Sequence, residues 1–134
     1  MAPEPGLILI VEDNKPSRDL MCYLLRAAGH SVLVCSDGAT ALDIATRERP
    51  ALVVFDLQLD GMGGEEASRR MAADPSLRSI PRVAVTAFAM SGDRDRALAS
   101  GFQHYISKPI EPTTFATEIQ DVLVRAGRSA AEEG

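Results

Sequence analysis

At three places along the chain a charged residue stands just past a short apolar run: Glu12 and Asp13 after 7–11, Asp56 after 52–55, and Lys108 after 105–107. In an open parallel α/β sheet, ligands sit outside the carboxyl ends of the strands, where strand order reverses, so residues far apart in sequence converge there. Glu12, Asp13 and Asp56 brought together make a hard-cation site. Carboxylate oxygens suit Mg²⁺, which keeps several waters and takes a phosphate oxygen as a further ligand. Lys108 beside it is placed to hold a phosphoryl oxygen. Attack on phosphorus by a carboxylate needs little covalent help, but it gathers anionic oxygens beside Asp56, and a divalent cation with a fixed ammonium answers that charge.

Composition singles out the lysine. Lys15 and Lys108 are the only lysines among 14 basic residues, so arginine stands almost everywhere else a positive charge is needed. A compact ammonium fits where a planar guanidinium would crowd a phosphoryl group. Taken singly, each residue has a plainer reading. A strand-end aspartate is more often a turn or cap, Thr86 a β-branched strand residue, and Tyr105 a packing residue. The coincidence of Glu12, Asp13, Asp56, Thr86 and Lys108 outweighs those readings, because a motif is confirmed by its context.

The elements that must position these residues are legible as alternating strands and helices, the pattern of consecutive βα units around a parallel sheet. Strands are predicted at 7–11, 31–35, 51–55, 82–85 and 104–107. The first, third and fourth are continuously apolar, as expected where helices cover both faces. Asn14 caps a first helix carrying Leu20, Met21, Leu24 and Leu25 at helical spacing, with Gly29 as its stop. Ser36-Asp37 opens a second, which ends before Pro50, and Gly63-Gly64 opens a third, which ends before Asp74-Pro75. Ser91 caps a short, weakly apolar fourth helix, expected to be the least stable element. Pro112 opens the last, marked by Phe115, Ile119, Val122 and Leu123. Residues 1–6 read as an extension, 7–127 as one domain and 128–134 as a flexible polar tail.

With 46% hydrophobic residues in 134, the chain has material for a real core. Its net charge of −5 and scattered arginines argue against direct nucleic-acid binding, which calls for a basic face. Cys22 and Cys35 have neither zinc spacing nor a secreted framework and read as reduced packing residues. No stretch has the length of a membrane span and 1–6 is not a signal sequence, so a soluble cytoplasmic protein is expected.

At these residues the chain resembles a receiver domain of bacterial two-component response regulators, nearly from end to end. The matching segments are LILIVEDN at 7–14, VVFDLQLDGMGG at 53–64, VAVTAFAM at 83–90 and YISKPI at 105–110. The wording of the last two is similar to single-domain regulators of the cell-division type. The resemblance implies a flavodoxin-like (βα)5 doubly wound α/β fold, a five-stranded parallel sheet in the order 2-1-3-4-5. It implies that Asp56 accepts a phosphoryl group from a phosphohistidine of a sensor histidine kinase or histidine phosphotransfer protein. Asp13, Asp56 and the backbone carbonyl of Gln58 would bind Mg²⁺, with Glu12 acting through water. Thr86 and Lys108 would each hold a phosphoryl oxygen, Tyr105 would rotate to report the state, and the Lys108-Pro109 bond would be cis. A downstream protein target is implied, read by a face near the last two helices and last strand, from a monomer or a weak phosphorylation-dependent dimer. No turnover is expected beyond Mg-dependent self-phosphorylation and autodephosphorylation.

The chain departs from the family at Asp60, where proline is common, and Phe88 is bulky at a position that affects access of hydrolytic water. Altered Mg²⁺ affinity or greater mobility of 58–64, and slow phosphate loss, are the corresponding expectations. A pseudo-receiver that binds without phosphorylation, and a receiver excised from a hybrid kinase, are the alternative readings. A flavodoxin would need a phosphate-cradling loop where Glu12-Asp13 would repel the phosphate. A haloacid-dehalogenase phosphatase would want an acid at Gln58, and no nucleophile elbow supports acyl transfer.

Overall fold

The computed structural model describes residues 6–58, 62–87, 95 and 98–133, with side-chain surroundings described as far as 127. Five parallel strands, β1 (Leu7–Val11), β2 (Ser31–Cys35), β3 (Leu52–Asp56), β4 (Arg82–Thr86) and β5 (His104–Ser107), form one sheet in the order β2-β1-β3-β4-β5. Four helices have defined bounds: α1 (Lys15–Ala27), α2 (Gly38–Glu48), α3 (Gly64–Ala73) and α4 (Phe115–Glu133). The chain steps outward from β1 to β2, returns across β1 to β3, and runs on to β5, so strand order reverses between β1 and β3. Registers such as Val11↔Phe55 and Asp56↔Val85 align the carboxyl ends of these strands. This is the expected doubly wound α/β sheet.

Alternation along each strand divides the core into two layers. On one face Ile8, Ile10, Val54, Val83 and Val85 pack with Met21 and Leu25 of α1 and Phe115, Ile119 and Val122 of α4. On the other, Leu9, Val11, Val53, Phe55 and Ala84 pack with Ala41 and Ala45 of α2, Ala67 and Met71 of α3, and Phe102. Burying both faces explains why β1, β3 and β4 read as continuous apolar runs. Each fully buried Leu, Ile or Phe adds about 2 kcal/mol from its apolar area.

Capping explains the helix starts. The Asn14 side chain accepts from the Ser17 amide at 3.0 Å and that of Asp37 from the Thr40 amide at 2.8 Å, each satisfying an amide of the first turn. At the end of α2, Arg49 turns left-handed (φ 51), the one described non-glycine residue with positive φ. Pro50 follows, and a residue before proline is driven out of the helical region.

Five boundaries differ from the sequence expectation. β3 starts at Leu52 and takes in Asp56, and β4 takes in Thr86, because pairing with neighbouring strands continues through these polar residues. Pro112 lies in a turn before α4, where the amides of Thr114 and Phe115 both donate to the Glu111 carbonyl. The helical backbone of α4 runs on to Glu133, where a flexible tail from 128 is expected, since no proline interrupts 128–133 and alanine and glutamate there favour helix. The Ser91-capped helix lies outside the described residues except at 95, 98 and 99, which are helical.

Candidate functional site

The site forms at the carboxyl edge of the sheet, beside the reversal between β1 and β3. Glu12 follows β1 directly, its amide donating to the Cys35 carbonyl at 3.0 Å, so the ladder to β2 holds its backbone. Its side chain is fully buried. Oε1 accepts from the Asn14 amide at 3.2 Å and from Lys108 Nζ at 3.0 Å. Asp56, the last residue of β3, is 3% exposed; its Oδ1 accepts from the Gln58 amide at 2.9 Å and its Oδ2 from Lys108 Nζ at 3.3 Å. One ammonium thus bridges two carboxylates from two strands. Asp13 is exposed, and Glu12, Asp13 and Asp56 each bring a carboxylate oxygen within 4.8 Å of the others.

β5 and β4 deliver the rest. The Lys108 amide donates to the Thr86 carbonyl at 2.8 Å, continuing the β4–β5 ladder one residue past the end of β5. Thr86 is buried at the end of β4. Tyr105 pairs with Ala84 in register and packs, half-buried, against the layer that holds Phe55 and Phe102. Thr86 stands two positions along β4 from Ala84 and so shares that face. The Lys108-Pro109 bond is cis.

The electrostatics are unbalanced. Burial, opposed by the Lys108 hydrogen bond, pushes the Glu12 carboxyl up to about 7. Burial works against the charge of Lys108, but its hydrogen bond to Glu12 and the charge of Asp56 outweigh that and hold the ammonium above its usual range. Glu12 Oε2 is buried with no hydrogen-bond partner among the described residues. A buried carboxylate oxygen without a donor is costly and calls for a proton or a cation. An all-oxygen donor set with one such orphan fits Mg²⁺.

The structure therefore brings together Glu12, Asp13, Asp56 and Lys108, with Thr86 tied to Lys108 through the backbone. Gln58 stands two residues past Asp56, and its amide donates to the Asp56 carboxylate. Asp60, Phe88, Ala89 and Met90 lie outside the described residues. Asn14 has a second task that its helix-capping role hides. Its main-chain amide fixes Glu12 Oε1, and only its place two residues past Glu12 could have signalled that. A groove of about 840 Å³ runs between α1 and β2 along Arg18, Cys22, Tyr23, Arg26 and Val34 and contains none of the acidic cluster.

A parallel sheet in this order, with an acid pair after β1, an aspartate ending β3 and a lysine after β5, defines a class of phosphorylatable signalling domains. The sequence profile of the response regulator receiver domain matches residues 8–120, and the chain belongs to that family. It is 40% identical over 119 residues to the polar-differentiation response regulator DivK of Brucella anthropi, covering 89% of this chain and 97% of that protein. The receiver domain of sensor histidine kinase PA1611 from Pseudomonas aeruginosa PAO1, whose structure has a magnesium ion coordinated in the active site cleft, is 33% identical with a TM-score of 0.79, covering 92% of this chain and 99% of that one. The chemotaxis response regulator CheY4 of Vibrio cholerae shares the fold at a TM-score of 0.83 and 24% identity, over 89% of this chain and 99% of its own. No helix among the described residues is long and apolar enough to cross a membrane.

Proposed function

We propose that Asp56 is the phosphoacceptor of this receiver and that the chain relays a signal from a histidine kinase or histidine phosphotransfer protein to a downstream protein target. The observation that carries the reading is the buried triad in which Lys108 Nζ lies 3.0 Å from Glu12 and 3.3 Å from Asp56, beside a carboxylate oxygen of Glu12 that has no donor. Asp56 Oδ attacks the phosphorus of a phosphohistidine, a P–O bond forms as the P–N bond breaks, and the imidazole leaves with the bonding pair and takes up a proton. Lys108 holds an oxygen of the arriving group and offsets its charge. Asp13, Asp56 and the Gln58 carbonyl would hold Mg²⁺, with Glu12 acting through water. The ion would neutralise charge gathering on the phosphoryl oxygens.

The Thr86 hydroxyl then binds a phosphoryl oxygen. Because Tyr105 shares its sheet face one strand away, a shift at Thr86 biases the rotation of that ring and the surface near β5 and α4. The working unit spans 7–127 and acts in the cytoplasm as a monomer or a weak phosphorylation-dependent dimer. Its only turnover is its own phosphorylation and dephosphorylation. Incubation with Mg²⁺ and a small phosphodonor, followed by intact mass, tests the reading: a phosphoryl-sized gain is expected in the parent and not in Asp56→Asn. An equal gain in both would place the acceptor elsewhere, and no gain in either would remove phosphotransfer from the account.

A further inference from the structure

Two glycines from different helices approach the chain on either side of the Asp56 loop more closely than any other residue type could. At Gly64, which opens α3, a Cβ would stand 2.7 Å from the main-chain oxygen of Asp56 and 3.2 Å from Cβ of Phe55. At Gly38, which opens α2, a Cβ would stand 2.7 Å from the main-chain oxygen of Met62, and the Gly38 amide donates to that same oxygen at 3.3 Å. Real Cβ atoms essentially never come within 3.0 Å of such a neighbour. Among the described glycines positive φ belongs to Gly29 and Gly101, so close approach rather than backbone freedom requires glycine at 38 and 64.

The consequence is positional. Asp56 is gripped at its own carbonyl by the start of α3, and Met62, just before that helix, is gripped by the start of α2. Gln58, two residues past the gripped strand end, has its amide 2.9 Å from Asp56 Oδ1. Among the described residues, α2 supplies no carboxylate to the cluster of Glu12, Asp13 and Asp56, yet it fixes where the chain re-enters α3.

The geometry points to Gly38 as a positioning residue for the Asp56 site, acting through the Met62 carbonyl to set where the chain enters α3, whose first residue, Gly64, meets the Asp56 carbonyl. This rests on the phosphoacceptor reading of Asp56. A side chain at 38 pushes the Met62 carbonyl away and carries Gly63 and Gly64 with it, off the Asp56 carbonyl. Groups that orient metal ligands without touching the metal change affinity by roughly 10- to 100-fold when altered.

The test compares the parent with Gly38→Ala, with Gly38→Ala combined with Met62→Gly, with Met62→Gly alone, and with Gly127→Ala, where an added Cβ meets nothing within 4 Å. Three quantities are read: Mg²⁺ affinity by titration of the unphosphorylated protein, urea stability without Mg²⁺, and phosphoryl uptake by intact mass at saturating Mg²⁺. Gly38→Ala is expected to bind Mg²⁺ about tenfold or more weakly, while Gly127→Ala binds as the parent does. A glycine at 62 lets that carbonyl rotate clear, so the double variant is expected to regain stability without regaining affinity relative to Met62→Gly alone. Parental affinity in Gly38→Ala, or affinity returning in step with stability in the double variant, overturns the positioning role and leaves Gly38 a packing residue. Should Gly38→Ala not fold, the double variant against Met62→Gly carries the same decision. A parent that takes up no phosphoryl group overturns the phosphoacceptor reading and this inference with it. A parent that is phosphorylated while the Gly38 variants bind Mg²⁺ normally overturns this inference alone.

Discussion

The sheet buries charge at both of its ends and treats it in opposite ways. At the amino edge Arg82, which opens β4 and is 2% exposed, donates from Nε to Ser68 Oγ at 3.0 Å, from one terminal nitrogen to the Ile80 carbonyl at 2.8 Å and from the other to the Gly101 carbonyl at 2.9 Å. Its own amide donates to Gln103 Oε1 at 2.6 Å, and the Ser68 hydroxyl donates onward to the Ser100 carbonyl at 2.8 Å. Burial lowers the guanidinium's proton affinity, yet neutral acceptors from α3 and two flanking segments serve the charge. At the carboxyl edge one ammonium is shared between two carboxylates and a buried oxygen of Glu12 has no donor. A charge whose nitrogens each have an acceptor holds elements together. A cluster left short of donors is poised to take up something else.

The most damaging way to challenge that contrast is Arg82→Ala. It opens a cavity under α3 and strips donors from the Ile80 and Gly101 carbonyls, so a loss of about 3 kcal/mol in urea unfolding is expected. The Gly101 carbonyl keeps the Gln103 side-chain amide at 3.0 Å, which limits the damage. Because the site lies at the other end of the strands, the gain in stability on adding saturating Mg²⁺ is expected to match the parent's. A changed Mg²⁺ increment would show that the two ends are coupled through β4.

Lys108→Met probes the opposite edge with a smaller effect. Without the ammonium, Glu12 and Asp56 face one another buried and unpaired, and the metal-free protein at neutral pH is expected to lose about 1–2 kcal/mol, part of the strain being relieved by proton uptake. Here the Mg²⁺ increment in urea unfolding is expected to exceed the parent's, since the cation replaces lost positive charge. An unchanged increment would mean that the carboxylates do not meet at a common ion.

These two edges were not equally legible in the sequence. Glu12, Asp13, Asp56 and Lys108 each follow or end an apolar run, so local pattern plus the rule for parallel sheets was enough to bring them together. Arg82 reads as an ordinary strand residue. Nothing beside it in sequence says it is buried, because Ser68, Gly101 and Gln103 reach it from other elements. The same holds for Gly38, whose need for a bare Cα comes from Met62 rather than from its own helix. Helix starts were legible through Asn14 and Asp37, whose capping bonds are local. The ends of β3 and β4 were off by a residue because pairing, not apolarity, decides where a ladder stops. The extent of α4 was missed because a polar composition was taken for disorder, while its backbone has no breaker between 128 and 133.

The finest probe is pH, acting on Glu12 alone. Its carboxyl, raised from 4.5 to about 7 chiefly by burial, stays protonated in the folded metal-free chain over a range where the unfolded chain has already released the proton. The folded state therefore binds more protons than the unfolded state in that window, so stability falls as pH rises from about 4.5 to about 7 and the loss is complete above it. The Lys108 hydrogen bond is already counted in that value, and across the window stability is expected to change by on the order of 1 kcal/mol per pH unit. Glu12→Gln carries no titrating proton at this position, and its urea stability without Mg²⁺ is expected to be flatter across the window than the parent's. Arg82→Ala, by contrast, is expected to keep the parent's slope at a lower level, since its lost contacts are to neutral groups. If Glu12→Gln and the parent trace the same slope, the orphaned oxygen is not what makes the carboxyl edge costly, and the contrast between the two edges reduces to a difference in hydrogen-bond count.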